Sequence, residues 1–409
     1  MKFMTSEDIR SQFPQLQEKV YGKQLVYLDN AATSLRPQCV IDKWVEMSSK
    51  YSANLHRAVH YIANLATEEY ESTRASVADF IGASDANCIV FTSGTTHSIN
   101  LVASSFGSLL NEGDEILIAE SEHHSNIVPW QMIAQRKGLK IKVLPVGDDG
   151  ELLIEKLPDL VTPRTRICCV AQVSNVLGII NPVEEIISYC HSRGCLVLVD
   201  GAQGVVHSSV NVAEMDCDFY AFSGHKIYSA PGVGVLYAKK DLLEQMPPYM
   251  GGGEMIGTVN WDNTTYAPVP RKFEAGTQNI AGVPTLKPAL EFAASLRTAE
   301  IASEQEEITS YMLNQLSAIE GLTIFGYPDD ISRKIPLFSF AVEGAHHEDL
   351  ALILDKMGIA VRSGQMCAEP LMDRFGVSGM LRTSFAPYNT LKEAEYFIEC
   401  LMKAINMLR

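Results

Sequence analysis

From residue 88 onward, short and largely unbroken apolar runs alternate with longer amphipathic stretches. Strand-like runs cover residues 88–91, 115–119, 141–144, 165–171 and 195–200, and helical patterning follows Thr95 and Asn126 and fills about 183–193. Runs this short and this rich in β-branched residues predict strands buried on both faces, hence a mostly parallel sheet covered by helices. Upstream, the pattern predicts a short helix from about Ser6 and an extended piece over 25–28 that ends in the turn-rich segment 29–33. Two helices are predicted between 38 and 81, with Trp44, Val45, Ala66, Tyr70, Val77 and Phe80 on a buried stripe. After Ala238 the pattern loosens, so that 247–272 is expected to be irregular and to mark a domain margin. From about Pro284, two helices, strands near 322–324 and 337–342 and a C-terminal helix predict a smaller α+β unit. The expected fold class is α/β, with a large domain over 29–285 and a small one over 286–409, beside which 1–28 packs.

Ligands of such sheets sit beyond the carboxyl ends of the strands. Four loops, 92–96, 120–126, 172–178 and 200–203, are predicted to converge there, so the site is expected to be assembled from separate loops.

Composition narrows the function. The 409 residues are 46% hydrophobic and 20% charged, the balance of a globular protein rather than a disordered one. A formal net charge of -16 argues against a nucleic acid as main partner, because phosphates are bound by clustered cations. No run approaches the ~20 apolar residues that span a bilayer, and the first ten residues lack the apolar core of a secretory signal. A cytoplasmic protein is expected. Its nine cysteines are scattered without paired C-x-x-C spacing, which predicts reduced thiols and no metal site. Cys168, Cys169 and Cys195 fall in strand-like runs and read as core. Cys367 differs, since it lies in a polar, glycine-bearing loop after the apolar 359–361, as a mobile and accessible thiol would.

Lys226 stands in the small, polar loop Ser223-Gly-His-Lys226, followed by a glycine-punctuated apolar run. Such a lysine is expected to be desolvated, and a desolvated amine is a nucleophile. Asp200 ends an apolar strand, where a carboxylate needs a cationic partner. A Schiff-base lysine and a carboxylate opposing a ring nitrogen are the two groups that pyridoxal 5'-phosphate requires of a protein. Taken singly, Lys226 reads as a solvated loop residue and Asp200 as a cap; the pair favours the cofactor. The loop Thr92-Ser-Gly-Thr-Thr-His-Ser98 opens a helix, where free N–H groups attract a phosphate, with Thr95 and Thr96 adding hydroxyls. His123 is placed to stack on a planar ring and move protons, and its neighbour His124 reads as a packing residue.

These residues resemble the aminotransferase class V family of pyridoxal-phosphate enzymes, and within it the group II (SufS/CsdA-type) cysteine desulfurases. The resemblance runs through Tyr27-Leu-Asp-Asn-Ala-Ala-Thr33, Asn54-Leu-His-Arg57, Thr92-Ser-Gly-Thr-Thr96, Asp200-Gly-Ala-Gln203, Ser223-Gly-His-Lys226, Phe273-Glu-Ala-Gly-Thr277 and Arg362-Ser-Gly-Gln-Met-Cys-Ala-Glu-Pro370 to Arg382. It implies a fold-type I enzyme in which Lys226 holds the cofactor aldehyde, Asp200 pairs with the pyridine nitrogen and His123 stacks on the ring. Gln203 and Asn175 would touch the ring oxygen or the substrate carboxylate, and Thr95, Ser223 and His225 would bind the phosphate. Thr277 would reach the phosphate of a second subunit, making a homodimer. Arg382 would hold the substrate carboxylate, and Cys367 would take sulfur from L-cysteine as a persulfide, releasing alanine. A SufE-like acceptor and iron–sulfur cluster assembly would follow. Gln365 and Met366 stand where the family often has histidines, and Ser93 and His97 where group II often has Arg and Glu. Selenocysteine lyase, class V aminotransferase and a low-turnover sulfur carrier are the alternatives. A nicotinamide dehydrogenase is disfavoured, because Gly232-Val-Gly234 lacks the dinucleotide spacing.

Overall fold

The alternating runs form a seven-stranded sheet in the computed structural model, which describes residues 6–57, 59–327 and 330–409. Its strands are β1 Ile89–Thr92, β2 Glu115–Ala119, β3 Lys140–Leu144, β4 Thr165–Ala171, β5 Leu196–Asp200, β6 Phe219–Ser223 and β7 Gly234–Ala238. Their order is β1-β7-β6-β5-β4-β2-β3. All run in one direction except β7, which is antiparallel to both neighbours. Within β4, Cys168 and Val170 join the core on one face while Ile167 and Cys169 join the core on the other; Phe222 and Ala221 divide in the same way within β6. Neither face is wetted, which is why these strands carry no polar alternation.

The reversed strand β7 brings Gly234 against the loop after β1. A Cβ on Gly234 would lie 2.3 Å from both Cα and N of Gly94, a clash of backbone with backbone. Gly234→Ala is therefore expected to destabilise the protein by about 1–3 kcal/mol, and a thermal unfolding midpoint equal to that of the wild type would contradict it.

A second core lies over the antiparallel sheet β8 Leu322–Phe325, β9 Leu337–Val342, β10 Arg362–Gly364 and β11 Met380–Ser384, in the order β8-β9-β11-β10. Helices Ala299–Ser317 and Leu391–Leu408 cover it, burying Met312, Leu313, Phe397 and Leu401 with Phe338 and Phe340. The last helix starts at a capping box, in which Thr390 Oγ1 accepts the Glu393 N–H and the Glu393 carboxylate accepts the Thr390 N–H. Val26 and Leu28 belong to this core, because Val26–Tyr27 pairs in parallel with Ile359–Ala360. Helix Leu286–Ser295 instead buries Leu286 and Leu290 in the core of the main sheet.

Two expectations are corrected. Helix Gln38–Lys50 buries Val40 and Met47, two turns apart, and leaves Trp44 37% and Val45 60% exposed. Val45 lies far round the helix from that stripe and Trp44 at its margin, a distinction that apolarity alone does not carry. The segment expected to be irregular contains the hairpin Ile256–Val259 with Thr264–Tyr266. Most of its residues are exposed, so no buried face imprints a pattern on it. Among the described residues, no helix is long and apolar enough to cross a membrane, and no group of three or more His, Cys, Asp or Glu is placed to hold a metal.

Candidate active site

The carboxyl ends of β1, β2, β4, β5 and β6 open on one cavity. Thr95, Thr96, His123, Asn175, Asp200, Gln203, Ser223, His225, Lys226 and Arg382 all line it. Met366 lines it too, while Cys367, the next residue, is half-buried beside it. Thr277 lies apart, on a second cavity that it shares with Ser93 and His97.

Lys226 follows β6 in a tight 3-10 turn, Gly224–Lys226, and is a half-buried residue of the cavity lining. Burial depresses its proton affinity, and the Asp200 charge opposes that effect. Asp200, the last residue of β5, is 6% exposed, and its Oδ1 accepts the Ala202 N–H at 2.9 Å. Burial raises its pKa, with Lys226 acting in the other direction. Burial thus disfavours the charged form of both groups, and each partly offsets that cost for the other. Beneath them Glu122 is fully buried, accepting from the Ala171 N–H and Asn126 Nδ2 at 2.7 Å each, and burial pushes its pKa up to about 8. It ties the ends of β2 and β4 together as a neutral acid, a role that nothing in its sequence context had signalled.

His123 is held by the Ser125 N–H, which donates to Nδ1 at 3.0 Å. Burial first, then the Lys226 charge, lowers its pKa to about 4, so at neutral pH the ring is uncharged and carries its proton on Nε2. Helix Thr95–Ser108 begins at Gly94, which has no side chain to cap it, so its first N–H is satisfied from another loop. Ser223 Oγ accepts the Thr95 N–H and pairs with Thr95 Oγ1, both at 2.8 Å. Thr96 Oγ1 pairs with Ser125 Oγ at 2.6 Å. His225 Nδ1 meets Thr33 Oγ1 at 3.2 Å, and Gln203 Nε2 donates to the Ala31 carbonyl at 2.8 Å, so the 29–33 turn closes one side.

That turn is also sewn to the second sheet: Asn30 Nδ2 donates to the Ser384 carbonyl at 2.6 Å and the Ala31 N–H to Ser384 Oγ at 2.9 Å. Arg382 on β11 is 2% exposed, bonding Asn175 O at 2.8 Å through Nη1 and Asp29 Oδ1 at 3.0 Å through Nη2. Its Nε is buried without a hydrogen-bond partner. Arg362, its register partner across β10 and β11, lines the same cavity. Two arginines abreast make a receptor for an anionic group. Arg362 was visible only as part of a motif, because the strand pairing that sets it beside Arg382 spans the intervening loop and helix.

His124 is not a packing residue. It is half-buried, and its Nε2 accepts the Glu369 N–H at 3.0 Å. Ser93 and His97 form their own network at the second cavity, in which the Ser93 N–H donates to His97 Nδ1 at 3.0 Å and His97 Nε2 meets the Tyr249 hydroxyl.

Comparison with known proteins finds relatives along nearly the whole chain. The family described as Aminotransferase class-V matches residues 26–397. A probable cysteine desulfurase of Vibrio cholerae serotype O1 is 45% identical over 401 residues, covering 98% of each chain. The crystal structure of the cysteine desulfurase CsdA from Escherichia coli shares 40% identity over 99% of both chains, with a TM-score of 0.90. An apo cysteine desulfurase from Thermococcus onnurineus shares 36% identity over 97% of this chain and 99% of its own, also with a TM-score of 0.90. The chain belongs to the aminotransferase class V family, and it aligns along nearly its whole length with that family's cysteine desulfurases.

Proposed function

We propose that the protein is a pyridoxal 5'-phosphate-dependent cysteine desulfurase that converts L-cysteine to L-alanine and leaves a persulfide on Cys367. The observation that carries this reading is the convergence of half-buried Lys226 and buried Asp200 on one cavity beside the Cys367 loop. The donor set fits the cofactor: a glycine-led helix start with the Thr95 and Ser223 hydroxyls for a phosphate, a buried carboxylate for a ring nitrogen, and a desolvated amine for an aldehyde. When bound there, the cofactor supplies an electron sink for the substrate carbons.

The chain's own groups do the rest. Thr95, Thr96, Ser223 and His225 would hold the phosphate, and Asp200 would keep the ring nitrogen protonated. His123, neutral and oriented by Ser125, would stack on the ring and offer its Nε2 proton. Lys226, with its proton affinity lowered, would move a proton at the substrate Cα. Asn175 and Gln203 would orient the bound groups. Arg382, with donors left over beyond its bonds to Asp29 and Asn175, and Arg362 would receive the substrate carboxylate. As the thiolate of Cys367 bonds to the substrate sulfur, the substrate C–S bond breaks. The electron pair stays on the substrate carbon, which takes a proton to become the methyl group of alanine.

The position of Thr277, off the cavity of its own chain, supports its service to a second copy in a homodimer. The reading places the enzyme in the cytoplasm, handing sulfur to a SufE-like acceptor for iron–sulfur cluster assembly. The test is alanine and sulfide formation from L-cysteine by the wild type and Cys367→Ala. The variant is expected to be slower by more than about 100-fold, with persulfide mass found on Cys367 of the wild type. Equal rates would sink the thiol's role. Turnover of L-selenocysteine by Cys367→Ala at the wild-type rate, with little activity on L-cysteine in either protein, would favour a selenocysteine lyase.

A further inference from the structure

The loop between β10 and helix Glu369–Phe375 holds two consecutive non-glycine residues in the left-handed region, Met366 at φ +53° and Cys367 at φ +57°. Such residues are strained, and they persist only where the surroundings over-determine them. The constraint here comes from two loops of the main sheet. After β4, Asn175 Nδ2 donates to the Met366 carbonyl at 2.9 Å. After β2, the His124 N–H donates to the Cys367 carbonyl at 2.7 Å, while His124 Nε2 accepts the Glu369 N–H at 3.0 Å. His124 therefore grips the loop on both sides of the thiol, at the carbonyl of the cysteine itself and at the first N–H of the helix that follows. The Met366 side chain, 3% exposed, is the loop's apolar foot, and the Ala368 N–H closes the turn on the Gln365 carbonyl at 3.0 Å.

We infer that His124 is a positioning residue for the reaction, holding the Cys367 loop in its strained, docked conformation beside the cavity. The inference rests on the reading of Cys367 as the sulfur-accepting thiol. The imidazole acts through Nε2 as an acceptor, so its proton sits on Nδ1. A glutamine at this position carries an amide oxygen about as far out as Nε2, whereas an asparagine reaches only as far as Nδ1. All variants keep the backbone N–H that binds the Cys367 carbonyl.

The experiment compares His124→Ala, His124→Asn and His124→Gln as holoenzymes, with alanine formation from L-cysteine and the rate of iodoacetamide alkylation at Cys367, read by peptide mass mapping, as its two readouts. His124→Ala and His124→Asn are expected to lose about tenfold in kcat, the effect of one hydrogen bond of ordinary strength. KM is expected to stay within about twofold, because the substrate pocket is untouched, and Cys367 is expected to be alkylated several-fold faster. His124→Gln is expected to restore both readouts. The inference is overturned if His124→Ala matches the wild type in both, if KM rises as kcat falls, or if His124→Gln is as impaired as His124→Ala. An unchanged His124→Ala beside an impaired Cys367→Ala removes this inference alone; an unimpaired Cys367→Ala removes the functional reading beneath it as well.

Discussion

Lys226→Ala is expected to abolish desulfuration, lowering turnover by about a thousandfold or more, the usual scale for deleting a covalent catalytic group. The side chain is desolvated by the end of β6 and faced by the Asp200 carboxylate, so its amine is both less basic than an exposed lysine and fixed in direction. The same substitution is expected to stop borohydride from fixing the cofactor to the protein. The polypeptide should remain folded, because Lys226 contributes a cavity wall rather than a core contact, and circular dichroism checks this. Wild-type protein that stays colourless after addition of pyridoxal phosphate, or a Lys226→Ala variant that keeps its turnover, would refute the proposed chemistry.

Asp200→Asn is the second large effect. The substitution keeps the shape of the buried side chain and removes its charge, so kcat is expected to fall by roughly 100-fold, comparable to losing one preorganised electrostatic group. A second readout carries a sign. Burial lowers the pKa of Lys226 and Asp200 is the leading influence that raises it. Without that carboxylate the free amine of the apoprotein holds its proton less tightly, and the pH profile of Lys226 acylation, read by peptide mass mapping, is expected to move to lower pH. A shift to higher pH, or an unchanged rate, would show that Asp200 does not face the reacting groups.

Much of this was legible in the chain. Strands buried on both faces announce themselves by unbroken β-branched runs, and β4 and β5 lie where those runs predict them to within a residue. Asp200 ends such a strand and Lys226 and His123 each follow one, which is enough to bring them to one edge of a parallel sheet. Exposed apolar residues were harder to read: Trp44 and Val45 satisfy a helical pattern without being buried, since periodicity reports a face but not what covers it.

By itself, then, the sequence determined the fold class and supplied the cofactor and the thiol of the proposed chemistry, because strand runs and the loops that end them are read from residue type along contiguous stretches of chain. What only the tertiary structure decided are the relations between distant segments. The register of β10 against β11 sets Arg362 beside Arg382, whose Nε stays unpaired while Nη1 and Nη2 bond Asn175 and Asp29. Glu122 becomes a buried acid because β2 and β4 end side by side. His124, unremarkable as the second of two histidines, becomes the clamp on a loop more than two hundred positions later in the chain. Local pattern is written in propensity and periodicity, whereas these pairings depend on where the packed cores bring the ends of separate elements, and no local pattern carries that information.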